Sequence, residues 1–209
     1  ASLVKADTSR MALPVFGDVE GKHLVFTRMA GVSISALRSS SIQPGDTVVV
    51  IGMGLVGNFA AQLFGMAGAN VLVADLEDSR LEAARSCGLE RTINSGVDDL
   101  SEAVEEFTEG KGAHAVVEAI GVSAVINDAV GLVRTGGELI LLGSPRASFT
   151  TDVTPFLLKV HLEAIRVIGA LEWRWASHPT ERTRDIESNY KLIADWIATG
   201  KLIVDPLIS

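Results

Sequence analysis

The chain has 209 residues, of which 47% are hydrophobic and only 21% charged, and its net charge is −8. That balance describes a globular protein with a generous core, the reverse of a disordered chain. It excludes duplex nucleic acid as a partner, because phosphate backbones call for a basic face. The apolar runs fall short of the ~20 residues of a membrane helix. A lone cysteine, Cys87, rules out an intrachain disulfide and fits a reducing, cytoplasmic setting. No secretory leader is expected, since Lys5, Asp7 and Arg10 interrupt the place where its apolar stretch would sit.

In chain order, residues 20–40 (EGKHLVFTRMAGVSISALRSS) read as a helix leading in. From Thr47 strands and helices alternate: TVVVI, the helical LVGNFAAQLFGMAG, the strand NVLVAD, the helix DSRLEAARSC closed by Gly88, and a short strand ERTIN. The helix DDLSEAVEEFTEG carries acids in its first turn and a glycine at its end. AHAVVEAI follows as a strand, VSAVINDAVGLVR as a helix and ELILLG as a strand. Beyond them come a short helix at 156–165, a sixth strand IRVIGAL, and the amphipathic helix ERTRDIESNYKLIADWIATG ended by Gly200. The tail KLIVDPLIS reads as one more strand. Turn signals fall at 44–46 (PGD), 135–137 (TGG) and 143–145 (GSP).

Strands such as VVVI and LILL are apolar throughout instead of alternating. Burial on both faces requires this, so the expected fold is α/β: a doubly wound parallel sheet in three layers.

The first strand runs into Gly52, Gly54 and Gly57, and the second stops on Asp75. Glycines in a turn between a strand and its helix let backbone approach a pyrophosphate. The first permits the tight turn, the second removes a side chain that would strike phosphate, and the third lets helix pack close on strand. The helix N-terminus adds unpaired N–H groups and partial positive charge. Asp75 is placed to accept hydrogen bonds from ribose hydroxyls; its competing role is to cap the following turn. A lone glycine pattern is weak, but here a strand precedes it, a helix follows, and an acid ends the next strand.

QPGDTVVVIGMGLVGNFAAQLFGMAGANVLVAD, LVRTGGELILLGSP and IATGKLIVDPLIS together resemble the coenzyme-binding Rossmann domain of the medium-chain, zinc-type alcohol dehydrogenases. The resemblance implies NAD as cofactor and hydride transfer between an alcohol and nicotinamide in the full enzyme. It assigns Gly52, Gly54 and Gly57 to the pyrophosphate turn, with Leu55 and Val56 beside phosphate and nicotinamide. Asp75 becomes the NAD-selecting acid, with Arg80 near the adenosine ribose. Leu76 and Ile120 become the pair sandwiching adenine, with Gly121 beside them, and Leu142 and Gly143 the backbone facing the nicotinamide end. It also implies a homodimer. Residues 1–40 then form a lead-in and the edge of a missing substrate domain, 41–200 the NAD-binding domain, and 201–209 the start of a return strand.

The small-molecule substrate and the catalytic groups would belong to that missing domain. Zinc is possible in the parent, but no zinc ligands are expected in this chain. His23, His114, His161, His178 and Cys87 are scattered, and the resemblance places Arg28 near a position where polyol-type members carry a metal-directed glutamate. Glu118, inside a buried strand, is expected to serve the structure. Trp173 and Trp175, flanking Arg174, are expected to pack beside the last strand. Two other classes use a similar turn and acid: regulatory nucleotide-sensing modules and S-adenosylmethionine-dependent methyltransferases. The tail favours the dehydrogenase over the first, and Val56, where a third glycine would stand, disfavours the second.

Overall fold

The computed structural model describes residues 19–175 and 185–208. Six strands form one parallel sheet in the order β3-β2-β1-β4-β5-β6. They are β1 (Thr47–Ile51), β2 (Asn70–Asp75), β3 (Thr92–Asn94), β4 (Ala113–Glu118), β5 (Val133–Leu141) and β6 (Arg166–Gly169). The order reverses between β1 and β4, so a crevice opens at the C-terminal ends of those two strands.

Among the described residues eight helices accompany them: α1 (Gly21–Leu24), α2 (Thr27–Ser39), α3 (Leu55–Met66), α4 (Asp78–Ser86), α5 (Leu100–Phe107), α6 (Ser123–Ala129), α7 (Thr154–Leu162) and α8 (Ile186–Ala198). On one face Val48, Val50, Val73, Val117 and Ile140 meet Ala60, Phe64 and Leu81 of α3 and α4. On the other, Val49, Leu72, Val116 and Leu139 meet α5, α6 and α7. A third cluster joins α2 and α8 to α3 through Phe26, Ile34, Phe59, Leu63 and Ile193. The uniformly apolar strands are thus buried from both sides, and the doubly wound α/β sheet is present.

Several boundaries differ from the sequence reading. The lead-in is two helices, α1 and α2, with Val25 and Phe26 between them. Residues 135–137 do not end a helix; they lie inside β5, which begins at Val133. Gly136, at φ 72°, donates its N–H to the Glu163 carbonyl (2.7 Å), and the pairing of β4 with β5 shifts register between Ala113 and Ala115. The glycines therefore bend a strand. α6 correspondingly stops at Ala129 and is followed by a 3-10 turn over Val130–Leu132. Of the helix expected over 181–200, residues 181–184 lie outside the described segment and α8 covers Ile186–Ala198.

The tail is not a strand. Residues 201–204 run without sheet pairing into a 3-10 turn over Asp205–Leu207. Its partner is a side chain: the Gln62 amide donates to the Ile203 carbonyl (3.0 Å) and accepts the Ile203 N–H (2.8 Å). A primary amide has the same donor and acceptor pair as a peptide unit, so α3 substitutes for the missing strand neighbour.

At the N-terminal edge, buried Glu138 gathers the Ser40 hydroxyl (2.7 Å), the Ser41 N–H (3.0 Å) and the Ser41 hydroxyl (2.7 Å). Arg166 of β6 completes this set. The end of α2 is thereby fastened to β5 and β6.

Candidate functional site

The three glycines do different work. At Gly52 (φ 98°) a Cβ would sit 2.5 Å from Ile120 Cγ1. At Gly57 it would fall 1.7 Å from the Gly52 carbonyl oxygen, so the helix can approach the turn only without a side chain. Around Gly54, the N-cap of α3, nothing of the protein lies within 4 Å of a Cβ. Its φ of −65° is open to any residue, so neither packing nor backbone strain requires glycine there. The space beside it lies in front of a 12-residue helix whose first N–H groups have no intrahelical acceptor. That is the arrangement an anionic group bound through backbone would need.

Asp75, at the end of β2, is 5% exposed. Oδ2 accepts the Met53 N–H inside the glycine turn (2.6 Å), and Oδ1 accepts the Glu77 N–H (3.0 Å). Arg80 stands 3.4 Å from Oδ2. The turn-capping role is therefore real, and the carboxylate also braces the glycine turn. A carboxylate has about four lone-pair sites, so these bonds leave acceptor capacity unused.

Leu76 and Ile120 are 65% and 40% exposed, large apolar side chains left open. They face a common cleft of about 560 Å³, which Ile51 and Val125 also line. Asp98 and Asp128 line it as well. Those two carboxylates escape sequence reasoning, because they come from the approach to α5 and from α6, and no local pattern joins them. Leu55 is partly exposed at the start of α3, Val56 packs on the core, and the Leu142 side chain is buried.

Glu118 organises the far side. Its fully buried carboxylate accepts the N–H groups of Ile120 (2.9 Å) and Gly121 (2.8 Å) on Oε1, and its main-chain carbonyl accepts those of Leu142 (2.9 Å) and Gly143 (2.8 Å). One residue thus fixes the loops after β4 and β5, where four of the expected cofactor-facing positions lie. The loops interlock: a Cβ on Gly143 would sit 2.2 Å from the Gly121 nitrogen. Glu118 Oε2 is buried with no hydrogen-bond partner.

Just past β6, Ala170 donates to the Leu141 carbonyl (2.9 Å), which sets the next residues beside the Leu142–Gly143 loop. There Glu172, not a tryptophan, is the buried member of the EWRW stretch. Its Oε2 lies 2.6 Å from Arg28 Nη1, and Oε1 accepts the Tyr190 hydroxyl (2.9 Å). Burial raises the Glu172 carboxyl above its usual range, opposed by Tyr190 and Arg28, and burial together with the nearby carboxylate pushes Tyr190 up to about 12. Arg28 stacks over Trp173 at 5.0 Å, and that ring is 62% exposed, so it forms surface where the sequence suggested packing. Arg28 is engaged in this charge pair. Among the described residues, no group of three or more His, Cys, Asp or Glu could hold a metal ion, and His178 lies outside them.

The family model of the zinc-binding dehydrogenases matches residues 56–180, a span that holds nearly all of α3, the strand-end acid Asp75 and most of the open apolar cleft. The chain belongs to that family. Among curated relatives of these zinc-binding dehydrogenases, the sorbitol dehydrogenase of Bacillus subtilis (strain 168) is 35% identical over 129 residues, 60% of this chain and 36% of its own. An uncharacterized zinc-type alcohol dehydrogenase-like protein of Haemophilus influenzae is 27% identical over 168 residues, 80% of this chain and 47% of its own. The chain thus spans less than half the length of these two relatives. In structure, galactitol-1-phosphate dehydrogenase from Escherichia coli superposes with a TM-score of 0.78 at 22% identity, over 95% of this chain and 55% of that one. A protein of the zinc-binding dehydrogenase type from Sinorhizobium meliloti 1021, bound to NADP, gives a TM-score of 0.73 at 23% identity, over 90% and 51%. These last two establish the shared fold. Among the described residues no helix is long and apolar enough to cross a membrane.

Proposed function

We propose that this chain is the dinucleotide-binding part of an oxidoreductase acting on an alcohol or polyol, with NAD as its preferred cofactor. The observation that carries the reading is Gly54: a glycine with open space at its Cβ position and an ordinary φ, at the head of α3. A Cβ there would enter the open space at the head of the helix where a bound phosphate would sit, which supports the reading. The nicotinamide group supplies the hydride acceptor and donor. Within this chain, Gly52 to Gly57 would hold the pyrophosphate, Asp75 and Arg80 the adenosine ribose, and Leu76 and Ile120 the adenine. Gly121, Leu142 and Gly143 would line the path to the nicotinamide. The substrate and any zinc would be held by residues outside this chain; among the described residues none forms a metal-ligating group.

The protein is further proposed to act in the cytoplasm as a homodimer. Among the described residues β6 is paired on one side only, and Val167 on that edge and Leu158 and Leu162 on α7 are exposed. Such an edge is an aggregation hazard unless covered. Light scattering is expected to report a dimer, and a 22 kDa monomer across concentrations would refute this part.

The test of the main reading is titration of tryptophan fluorescence with NADH, ATP and S-adenosylmethionine. Saturable quenching by NADH is expected, with far weaker responses to the other two. A preference for either competitor would overturn the assignment.

A further inference from the structure

A second cavity, of about 330 Å³, lies at the opposite edge of the sheet, where strands begin. Its polar lining includes Thr47 of β1, Asn70 of β2, His114 of β4 and Arg134 of β5, together with Arg91, which precedes β3, Lys111 and one carboxylate, Glu109. None of the positions expected to hold the dinucleotide lines it.

Most of its polar groups are engaged within the protein. His114 Nδ1 accepts the Thr47 N–H (3.0 Å), and Nε2 faces Asp46 Oδ1 (3.1 Å). With Nδ1 accepting, the proton belongs on Nε2. Burial, and secondarily Arg134, hold this imidazole below its ordinary pKa, which keeps it neutral. The Thr108 hydroxyl donates to the Val104 carbonyl (2.7 Å) and accepts the Gly112 N–H (3.0 Å). Lys111 is paired with Glu109 (2.8 Å).

Two guanidinium groups remain. Arg91 is braced over the Phe107 ring at 5.1 Å, and Arg134 stands close enough to His114 to influence its titration. Among the described residues neither has a carboxylate partner, in a chain of net charge −8. One cation near the C-terminus of α5 is an ordinary helix-dipole partner. A second unpaired guanidinium, on another strand but in the same cavity, is not explained that way. Lys111 and Glu109 offset each other, so what is left over is two planar donors, and the ligand that matches them is rich in acceptors and negatively charged.

We propose that this pocket is a binding site for a small phosphate-class oxyanion, held between Arg91 and Arg134 and separate from the dinucleotide crevice.

The test uses inorganic pyrophosphate as probe and two-dimensional amide NMR of the 209-residue chain as readout. Shifts are expected at Thr108 to Gly112, His114 and Arg134, saturating with a single dissociation constant. Combining Arg91→Ala with Arg134→Ala should weaken binding at least ~10-fold. Both side chains are exposed, so the fold should survive. Arg134→Glu alone is a second variant, and it should abolish the shifts by inverting one charge. Shifts confined to Gly54 to Gly57 would mean that pyrophosphate binds the glycine turn instead and would overturn the proposal. So would an unchanged affinity in both variants, or no shifts at millimolar probe. Because NADH takes no part, failure here leaves the proposed function standing, and failure of NADH to bind leaves this site standing.

Discussion

Glu138 and Glu118 lie on adjacent strands of one sheet, and both are buried carboxylates. Glu138, at the edge where strands start, meets three donors from Ser40 and Ser41 and the charge of Arg166. Glu118, at the edge where strands stop, holds two N–H groups on one oxygen and leaves the other without a partner. The first is a closed knot whose work is finished on folding. The second shapes loops whose remaining surface faces a cleft. In open α/β sheets ligands bind beyond the carboxyl ends of the strands, and the two glutamates show the division residue by residue.

The largest effect is expected at the crevice itself. Gly57→Val would drive a Cβ toward an oxygen 1.7 Å away. It is expected to cost more than ~4 kcal/mol, enough to prevent folding, because backbone on both sides must move. Recovery of a normally folded protein by circular dichroism would mean that the turn is not packed as described.

The paired test comes next. Glu138→Ala strips a half-exposed arginine and two serines of their acceptor and should cost about 3 kcal/mol by urea denaturation. It should leave NADH affinity unchanged. Glu118→Ala orphans two N–H groups, for about 2 kcal/mol of stability. It should also lower NADH affinity in the protein that remains folded, whereas Glu118→Gln, which keeps one acceptor oxygen, should restore much of both. If Glu118→Ala loses stability and keeps its affinity, the two glutamates are alike and the contrast fails.

Gly54→Ala should separate binding from folding. With open space at the Cβ and a permitted φ, it should lose no more than ~1 kcal/mol of stability, the cost of alanine at a helix N-cap. NADH affinity should fall ~10-fold, a change of ~1.4 kcal/mol. A methyl group there that leaves affinity intact would remove the observation on which the proposed function rests.

The smallest effect is expected at Asp75. NADP replaces a ribose hydroxyl by a phosphate, which loses one charge-assisted bond and brings like charges together, so NAD should bind ~10-fold tighter. Arg80, 3.4 Å away, moderates that repulsion. Asp75→Ala should narrow the ratio in calorimetric titrations, and because the Met53 N–H loses its acceptor it should weaken both dinucleotides as well. An unchanged ratio would show that the carboxylate braces the turn and does not read the ribose.

How much of this was legible in the sequence follows from what each feature depends on. Runs such as VVVI and LILL carry their burial in their composition, so the six-stranded sheet and its flanking helices could be read directly. The glycine turn and Asp75 are local too. The bend at Gly136 was not legible, since a glycine pair marks a strand's bulge as readily as its end, and the Glu163 carbonyl that decides the matter comes from a later helix end. KLIVDPLIS carries the β-prone run LIV, but in the fold it lies against α3 and not at a sheet edge; Gln62 supplies its partner. The Arg28–Glu172 pair joins residues 144 positions apart, and Asp98 and Asp128 reach the cleft from separate segments. Periodicity describes neighbours along the chain and has no access to such meetings.

The amide clasp between Gln62 and Ile203 makes the fold mechanically asymmetric. Gln62 sits seven residues along α3 from Leu55, about 10 Å at 1.5 Å per residue. A helix is stiff along its axis, so a tug on the 201–208 segment is delivered through two hydrogen bonds to the rod whose tip carries the glycine turn. Displacement of that segment and the position of the glycine turn are thereby coupled along the axis of α3.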